Sequence, residues 1–485
     1  MSNDRKIYKP GPIRGFPEWL PEVRLVEQKW FDHIRRVFES YGFCNIETPS
    51  VEELDVLTAK GEVDKEIYVI ERLHKDEDNK KEARLALHFD QTVPMARYVA
   101  MNFNDLVFPF KRYQMQRVWR GERPQMGRMR EFYQCDIDVI NVDNLPISFD
   151  AEVASMMYEI LEGLNIGRVQ LRINNRKIIS GLLDSYNLTE EETSKVFRVL
   201  DKKEKIPENE FHDQLKNILL SHKIDDVGND PYDNLLTFLS YQEKLKSLSI
   251  QGQIGFLEKL HKAVHEYEWW NTFIKEENLK PLKLYTSTFI SGLAELISVM
   301  KGLSHLPDHA AVADFGIVRG LDYYTGTVYE TQLLDVPEFT GSVCSGGRYD
   351  DLAGSYINKH LPGVGISLGF SRLFDVIKQK RPELLKIGPK SPAHVMMIMP
   401  ENESDQPLAY EAARQLRKNG NNVEMYHAPK KFGDQLKYAS KKNIPYVWVI
   451  RDGQHEVKDM NAQTQTQADP LTWTPADRKE LHEVA

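Results

Sequence analysis

Between Phe110 and Ile140 the sequence reads FKRYQMQRVWRGERPQMGRMREFYQCDIDVI. Taken at the two-residue period of a strand, Arg112, Gln114, Gln116, Val118 and Arg120 share one face of a first arm. Tyr113, Met115 and Trp119 share the other, with Arg117 out of pattern. In the returning arm Gln134, Asp136 and Asp138 fall on one face, and Tyr133, Cys135, Ile137 and Val139 on the opposite one. The loop from Gly121 to Glu131 adds Arg123, Arg128 and Arg130. The spacing predicts a long hairpin with an apolar underside and a polar upper side. Arginine is a planar, permanent cation suited to phosphate and carboxylate, while carboxylates and amides suit N–H donors. A merely solvated face seldom collects Arg, Gln and Asp with almost no Lys, Glu or Ser.

Other stretches carry similar chemistry. Asp90 and Thr92 stand just before Pro94. A proline disfavours helix at the residue before it, so both are expected on an extended end facing a cleft. Arg319, Asp322, Tyr323 and Tyr324 are packed into six residues flanked by glycines. Beyond them come Ser345-Gly346-Gly347-Arg348-Tyr349-Asp350 and the Gly-rich strand 363–369, which leads into an apolar helix near Arg372. A helix N-terminus favours anions, but these glycines lack dinucleotide-fold spacing.

Positioning these residues takes a large chain. Its 485 residues suit about two to four domains. Hydrophobic residues make up 41% and charged residues 28%, ordinary for a globular protein. The net charge of −9 excludes a global pull toward polyanions, so any such site must be a local basic patch. Cys44, Cys135 and Cys344 are scattered, odd in number and without metal-ligand spacing, which suits a reducing compartment. No run approaches a membrane span and the start has no apolar leader core, so a cytoplasmic location is expected.

After an extended arm over residues 1–20, Val23, Val26, Trp30, Ile34 and Phe38 predict a helix stopped by Gly42, then a strand ended by Pro49. Residues 150–183 read helix, strand, helix, the last entered at Asn174 or Asn175. Residues 184–300 are dense in Lys and Glu with leucines at helical spacing, a mostly helical insertion. The segment 382–392 is a linker by its Pro and Gly content, and an alternating βαβαβ pattern follows, which implies a mostly parallel sheet. Lys430, Lys431, Lys437, Lys441 and Lys442 load its second helix and the approach to it.

These segments together resemble the class II aminoacyl-tRNA synthetases, and among them the histidyl-tRNA synthetase family. The helix–strand–Pro49 unit is similar to motif 1, which forms the family's dimer interface. Arg120-Gly121-Glu122-Arg123-Pro124-Gln125 through Phe132 and Gln134 is similar to motif 2, and Gly365 through Arg372 to motif 3. Arg319-Gly320-Leu321-Asp322-Tyr323-Tyr324 matches the stretch that sets histidyl enzymes apart, supported by Gly346 to Asp350. The C-terminal region resembles the family's anticodon-binding domain.

The resemblance implies a fold class: an α+β catalytic domain on a mixed, mainly antiparallel sheet with flanking helices, a helical insertion and a C-terminal α/β anticodon-binding domain. The expected bounds are 1–183 and 301–382 for the catalytic domain, 184–300 for the insertion, 383–391 for the linker and 392–485 for the anticodon-binding domain. It implies activation of L-histidine by ATP, with Mg²⁺ bridging ATP oxygens, then transfer to the 3′ end of the histidine tRNA. Expected partners are that tRNA and a second copy through residues 22–50, with no membrane. The family pattern puts Arg120 and Arg319 on either side of the reacting centre as the catalytic pair. Glu122, Arg128, Phe132 and Arg372 join Arg120 around ATP. Asp90, Thr92 and Gln134 hold the amino group, Asp138 and Tyr324 the imidazole, with Tyr323 and Arg319 close by. Gln125 meets the acceptor end, and Lys430, Lys431 and Lys437 the anticodon stem. Many members have Glu at positions 90, 138 and 371, where this chain has Asp90, Asp138 and Ser371. The competing readings are a non-catalytic regulatory paralogue of ATP phosphoribosyltransferase, expected to have lost the motif arginines, and a class II synthetase for another amino acid.

Overall fold

A computed structural model describes residues 8–58, 66–73, 84–203, 206–222, 230–282, 285–318, 324–351, 353–354 and 356–475. The chain divides into two compact units. One comprises Met1–Pro17, Arg36–Glu162 and Ile166–Val376, and the other Glu18–Arg35, Gly163–Asn165 and Ile377–Ala485.

The chain opens with α1 (Pro21–Ser40), and Gly42 ends it at φ +77°. β1 (Cys44–Asn45), β2 (Val51–Glu53), α2 (Leu54–Thr58), β3 (Val69–Ile70) and β4 (Leu85–Leu87) follow. β2, β4 and β3 form a small three-stranded sheet that the sequence pattern did not signal. Next is α3 (Thr92–Met101). Here the expectation of an extended Val93 is overturned. Val93 is helical, because Pro94 falls in the first turn, where its missing N–H has no intrahelical partner to lose.

The hairpin is β5 (Phe110–Trp119) and β6 (Glu131–Ile140), paired through ten residues from Phe110 opposite Ile140 to Trp119 opposite Glu131. Then come α4 (Ser148–Gly163), β7 (Val169–Asn175) and α5 (Arg176–Leu183). Asn175 caps α5 by accepting from the Lys177 N–H at 3.0 Å, as the sequence suggested. Six helices follow: α6 (Glu190–Asp201), α7 (Glu208–Leu219), α8 (Pro231–Lys246), α9 (Ile250–His265), α10 (Tyr267–Glu277) and α11 (Ser287–Gly302). A capping box at Thr189 and Glu192 starts α6. α11 crosses α5 so closely that a Cβ on Gly181 would lie 2.1 Å from the Phe289 nitrogen.

β8 (Ala311–Ala313), β9 (Tyr324–Leu333), β10 (Cys344–Tyr349) and β11 (Gly363–Leu368) complete an eight-stranded sheet in the order β1-β5-β6-β11-β10-β9-β7-β8. The β1–β5 and β7–β8 pairs are parallel and the others antiparallel, so the sheet is mixed and mainly antiparallel. α12 (Phe370–Lys380) leaves the end of β11.

In the other unit, β12 (Val395–Met397), α13 (Gln406–Lys418), β13 (Val423–Met425), α14 (Phe432–Lys441) and β14 (Tyr446–Arg451) give the expected alternation, with three mutually parallel strands. β15 (Gln454–Asp459) and β16 (Gln465–Gln467) extend the sheet antiparallel, an addition the sequence reading lacked. Val395, Met397, Trp448 and Ile450 pack with Ala409, Ala412 and Ala413 of α13 on one side. Met396, Ile398, Val447 and Val449 pack with Ala439 of α14 on the other. Burial of alternate residues on both faces is why these strands read as unbroken apolar runs.

Candidate active site

The polar side of the hairpin is not a solvated surface. Arg112, Gln114, Gln116, Gln134, Asp136 and Asp138 are all buried, and Arg112 has no exposed area. Strand register explains how they meet. Arg112 stands opposite Asp138 across β5 and β6, and Gly365 of β11 flanks Asp138 on its other side. A Cβ on Gly365 would lie 2.1 Å from Asp138 Oδ1, so only glycine leaves room there. Asp138 forms an ion pair with the Arg112 guanidinium and accepts from the Tyr349 hydroxyl at 2.9 Å. Arg112 also donates to Gln114 Oε1 at 3.3 Å. Gln91, fully buried, donates to the carbonyls of Gln116 and Gln134, both at 3.1 Å, and so fastens the start of α3 to both arms.

Burial raises the Asp138 carboxyl above its usual range, opposed by Arg112 and the Tyr349 hydroxyl. Burial also pushes Asp136 up to about 7, with Arg112 and a Ser367 hydrogen bond pulling it down and the charges of Asp138 and Asp90 adding to the rise. Asp90 is raised by loss of water as well, against the Val93 N–H and Arg120. Its Oδ1 accepts from that N–H at 3.2 Å.

The far end of the hairpin is basic. Arg120 donates to the Phe89 carbonyl at 3.0 Å, and its guanidinium lies 5.3 Å from the centre of the Phe132 ring. In the loop, Gln125 and Arg128 exchange backbone hydrogen bonds, and Arg128 lies 3.6 Å from Glu122. α12 holds this loop. Arg372 donates to the carbonyls of Gly127 and Ser342 at 2.9 and 3.0 Å, and Asp375 accepts from the Gly127 N–H at 3.1 Å. Ser371 accepts from the Tyr133 N–H at 2.9 Å, tying the same helix to β6.

A cavity of about 1080 Å³ spans both regions. Asp90, Thr92, Gln134, Asp138 and Tyr324 line it, as do Arg120, Glu122, Gln125, Arg128, Phe132 and Arg372. The structure therefore gathers the described members of the histidine and ATP sets, with Gln125, around one space. Arg319 and Tyr323 lie outside the described residues. Lys430 and Lys431 precede α14 and Lys437 lies on it, all three exposed, in the second unit.

A buried carboxylate–guanidinium floor beside an arginine-lined loop accommodates a ligand rich in N–H donors next to a polyanion. Residues 15–373 match the family model for histidyl-tRNA synthetase. The chain belongs to the histidyl-tRNA synthetase family. Residues 394–469 match an anticodon-binding domain. A histidine–tRNA ligase from Thermobifida fusca is 46% identical over 475 residues, covering 97% of this chain and 99% of that one. One from Micrococcus luteus is 41% identical and covers 98% of each. The crystal structure of histidyl-tRNA synthetase from Nostoc sp. PCC 7120 superposes with a TM-score of 0.78 at 34% identity, covering 98% of this chain and 99% of that chain.

Three residues of this histidyl-tRNA synthetase-family site escaped the assignments made from sequence. Arg112 and Asp136 stood on the polar face by strand period, yet received no role. Tyr349 was noticed within a motif, but its bond to Asp138 spans 211 positions and left no local signal.

Proposed function

We infer that the chain activates L-histidine with ATP, releasing pyrophosphate, and then transfers the histidyl group to its tRNA. The observation that carries this reading is the junction of the Arg112–Asp138 floor with the Arg120 loop in one cavity. Joining a carboxylate to an α-phosphate brings anion to anion, so position and preorganised positive charge do most of the catalysis. Arg120 takes the α-phosphate and carboxylate region, with Arg319 as its counterpart. Arg128 and Arg372 hold the distal phosphates, Glu122 braces Arg128, and Phe132 stacks on adenine.

Asp90, Thr92 and Gln134 receive the amino group. Asp138 and Tyr324 bond the imidazole, whose two nitrogens offer a donor and an acceptor, with Tyr323 and Arg319 nearby. Such a pocket rejects an apolar side chain by leaving buried polar groups unpaired. Mg²⁺ enters this reading only as the counterion of ATP. Among the described residues no group of three or more His, Cys, Asp or Glu side chains could hold an ion, and no step here is routed through a metal.

Gln125 meets the acceptor end, and Lys430, Lys431 and Lys437 contact phosphates of the anticodon stem. The chain forms a homodimer through residues 22–50, by likeness to motif 1. No described helix is long and apolar enough to cross a membrane, and three free thiols suit the cytoplasm. The regulatory-paralogue reading is disfavoured because Arg120, Arg319, Arg372 and a C-terminal anticodon-binding domain are retained, and another amino acid because of the Leu321-Asp322-Tyr323-Tyr324 stretch. The test is charging of a histidine-tRNA transcript with labelled histidine. Accumulation of histidyl-tRNA supports the reading, and none under conditions that charge a control synthetase contradicts it.

A further inference from the structure

Asp136 has no role in the scheme above, yet the fold puts it at the centre of the cavity floor. It lies between Gln134 and Asp138 on one face of β6, is 4% exposed and lines the cavity. Its cross-strand neighbours are Gln114 of β5 and Ser367 of β11. The Gln134 amide donates to the Ser367 hydroxyl at 2.7 Å, which turns Gln134 Oε1 away from that bond. Asp136 Oδ1 and Gln134 Oε1 are both buried without a hydrogen-bond partner among the described residues. Buried acceptors are almost always satisfied, so two of them on one strand face beside a cavity call for donors that a ligand brings.

The charge balance points the same way. The groups facing Asp136 are Arg112 from β5, Asp138 on its own strand, Asp90 from the turn before α3 and Ser367 from β11. Tyr349 of β10 reaches the cluster through Asp138. Three carboxyl groups thus face two guanidinium groups, of which Arg112 is engaged by Asp138 and Arg120 lies beside Asp90. The floor is built to accept one more positive charge.

We propose that Asp136 is a substrate-contacting specificity residue, whose carboxylate takes the α-ammonium group of the bound amino acid together with Gln134 Oε1. This rests on reading the cavity as a histidine site. It makes binding proton-linked. With the site empty, burial holds the Asp136 carboxyl up to about 7, so near neutral pH a substantial fraction carries a proton. An arriving ammonium favours the carboxylate, and the displaced proton passes to solvent. The sign follows: release is present between the lowered value in the complex and the raised value of the free site, and it fades as pH rises above the latter, where the free site is already ionised.

The test is calorimetric titration of L-histidine into the full-length protein at pH 7, in two buffers of different ionisation enthalpy. The wild type is compared with Asp136→Asn, so that titration of the ligand's own imidazole cancels. The expected result is a fraction of a proton more released by the wild type and about tenfold or greater weaker histidine binding by the variant. In kinetics the KM for ATP stays within about twofold. A residue that only balanced Arg112 would shift stability without changing the proton count. An Asn variant with wild-type histidine affinity, or with the wild-type proton count, overturns the proposal. If Asn prevents folding, Asp136→Ser is put through the same two readings. A wild type that does not bind histidine at all overturns the histidine-site reading itself, a different result from either.

Discussion

Arg112 and Asp138 are a costly pair to bury, since desolvating two charges offsets much of their attraction. Removing one partner of such a pair costs about 3–5 kcal/mol, because the other is left charged and unpaired. A shorter carboxylate at position 138 fits this floor: Arg112 lies directly across the strand and the Tyr349 hydroxyl closes the other side. Ser371, where the family often has Glu, also has a local use, because its hydroxyl secures the Tyr133 N–H. Arg120 is of another kind, since its guanidinium is only half-buried and points into the cavity region. Arg120→Ala is expected to slow pyrophosphate exchange by about 10²- to 10³-fold, as loss of a preorganised donor does elsewhere, with little change in melting temperature. A rate within tenfold of wild type would remove Arg120 from the reacting centre. The polar face to which these residues belong was legible from period two. Its burial was not, because alternation looks the same whether the polar side meets water or a covered cavity.

At the scale of elements, the site depends on how closely β6, β11 and β10 approach. Gly365 leaves space for Asp138, and a Cβ on Gly346 would lie 2.0 Å from the Gly365 carbonyl. Gly365→Ala is expected to displace the Asp138 carboxylate and to raise the KM for histidine at least tenfold, while the KM for ATP changes little. Parallel increases in both constants would mean that the whole sheet had shifted. Strand glycines of this sort are visible in sequence, but what approaches them is decided by pairing between positions 138 and 365, far apart in the chain. The start of α3 teaches a related lesson. Pro94 in the sequence predicts a barrier to helix at Val93, whereas a proline in a first turn is compatible with the helix around it. Thr92 and Asp90 reach the cavity all the same, with Asp90 bonded to the first turn.

At the scale of the whole molecule, the cavity proposed for both chemical steps lies in one unit and the lysines proposed to contact the anticodon stem lie in the other. The fold class was legible: a mixed sheet with flanking helices, and an α/β unit after the linker. The β2–β4–β3 sheet and the β15–β16 extension were not, because strands of two or three residues, or ones with exposed faces, carry almost no periodic signal. The exposed lysines around α14 belong to the tRNA-binding half of the account. Replacing Lys430, Lys431 and Lys437 together with Ala is expected to raise the KM for tRNA about tenfold. The salt dependence of binding should weaken by about one unit of slope per lost phosphate contact. Pyrophosphate exchange, which needs no tRNA, should be unchanged, and equal loss of both activities would argue for a structural role instead.

The most direct measurement is amino-acid-dependent exchange of pyrophosphate into ATP by the purified full-length protein, run across all twenty amino acids. The account predicts robust exchange with L-histidine alone, slowed about 10²- to 10³-fold by Arg120→Ala. No exchange with histidine, or equal exchange with threonine or proline, would contradict it.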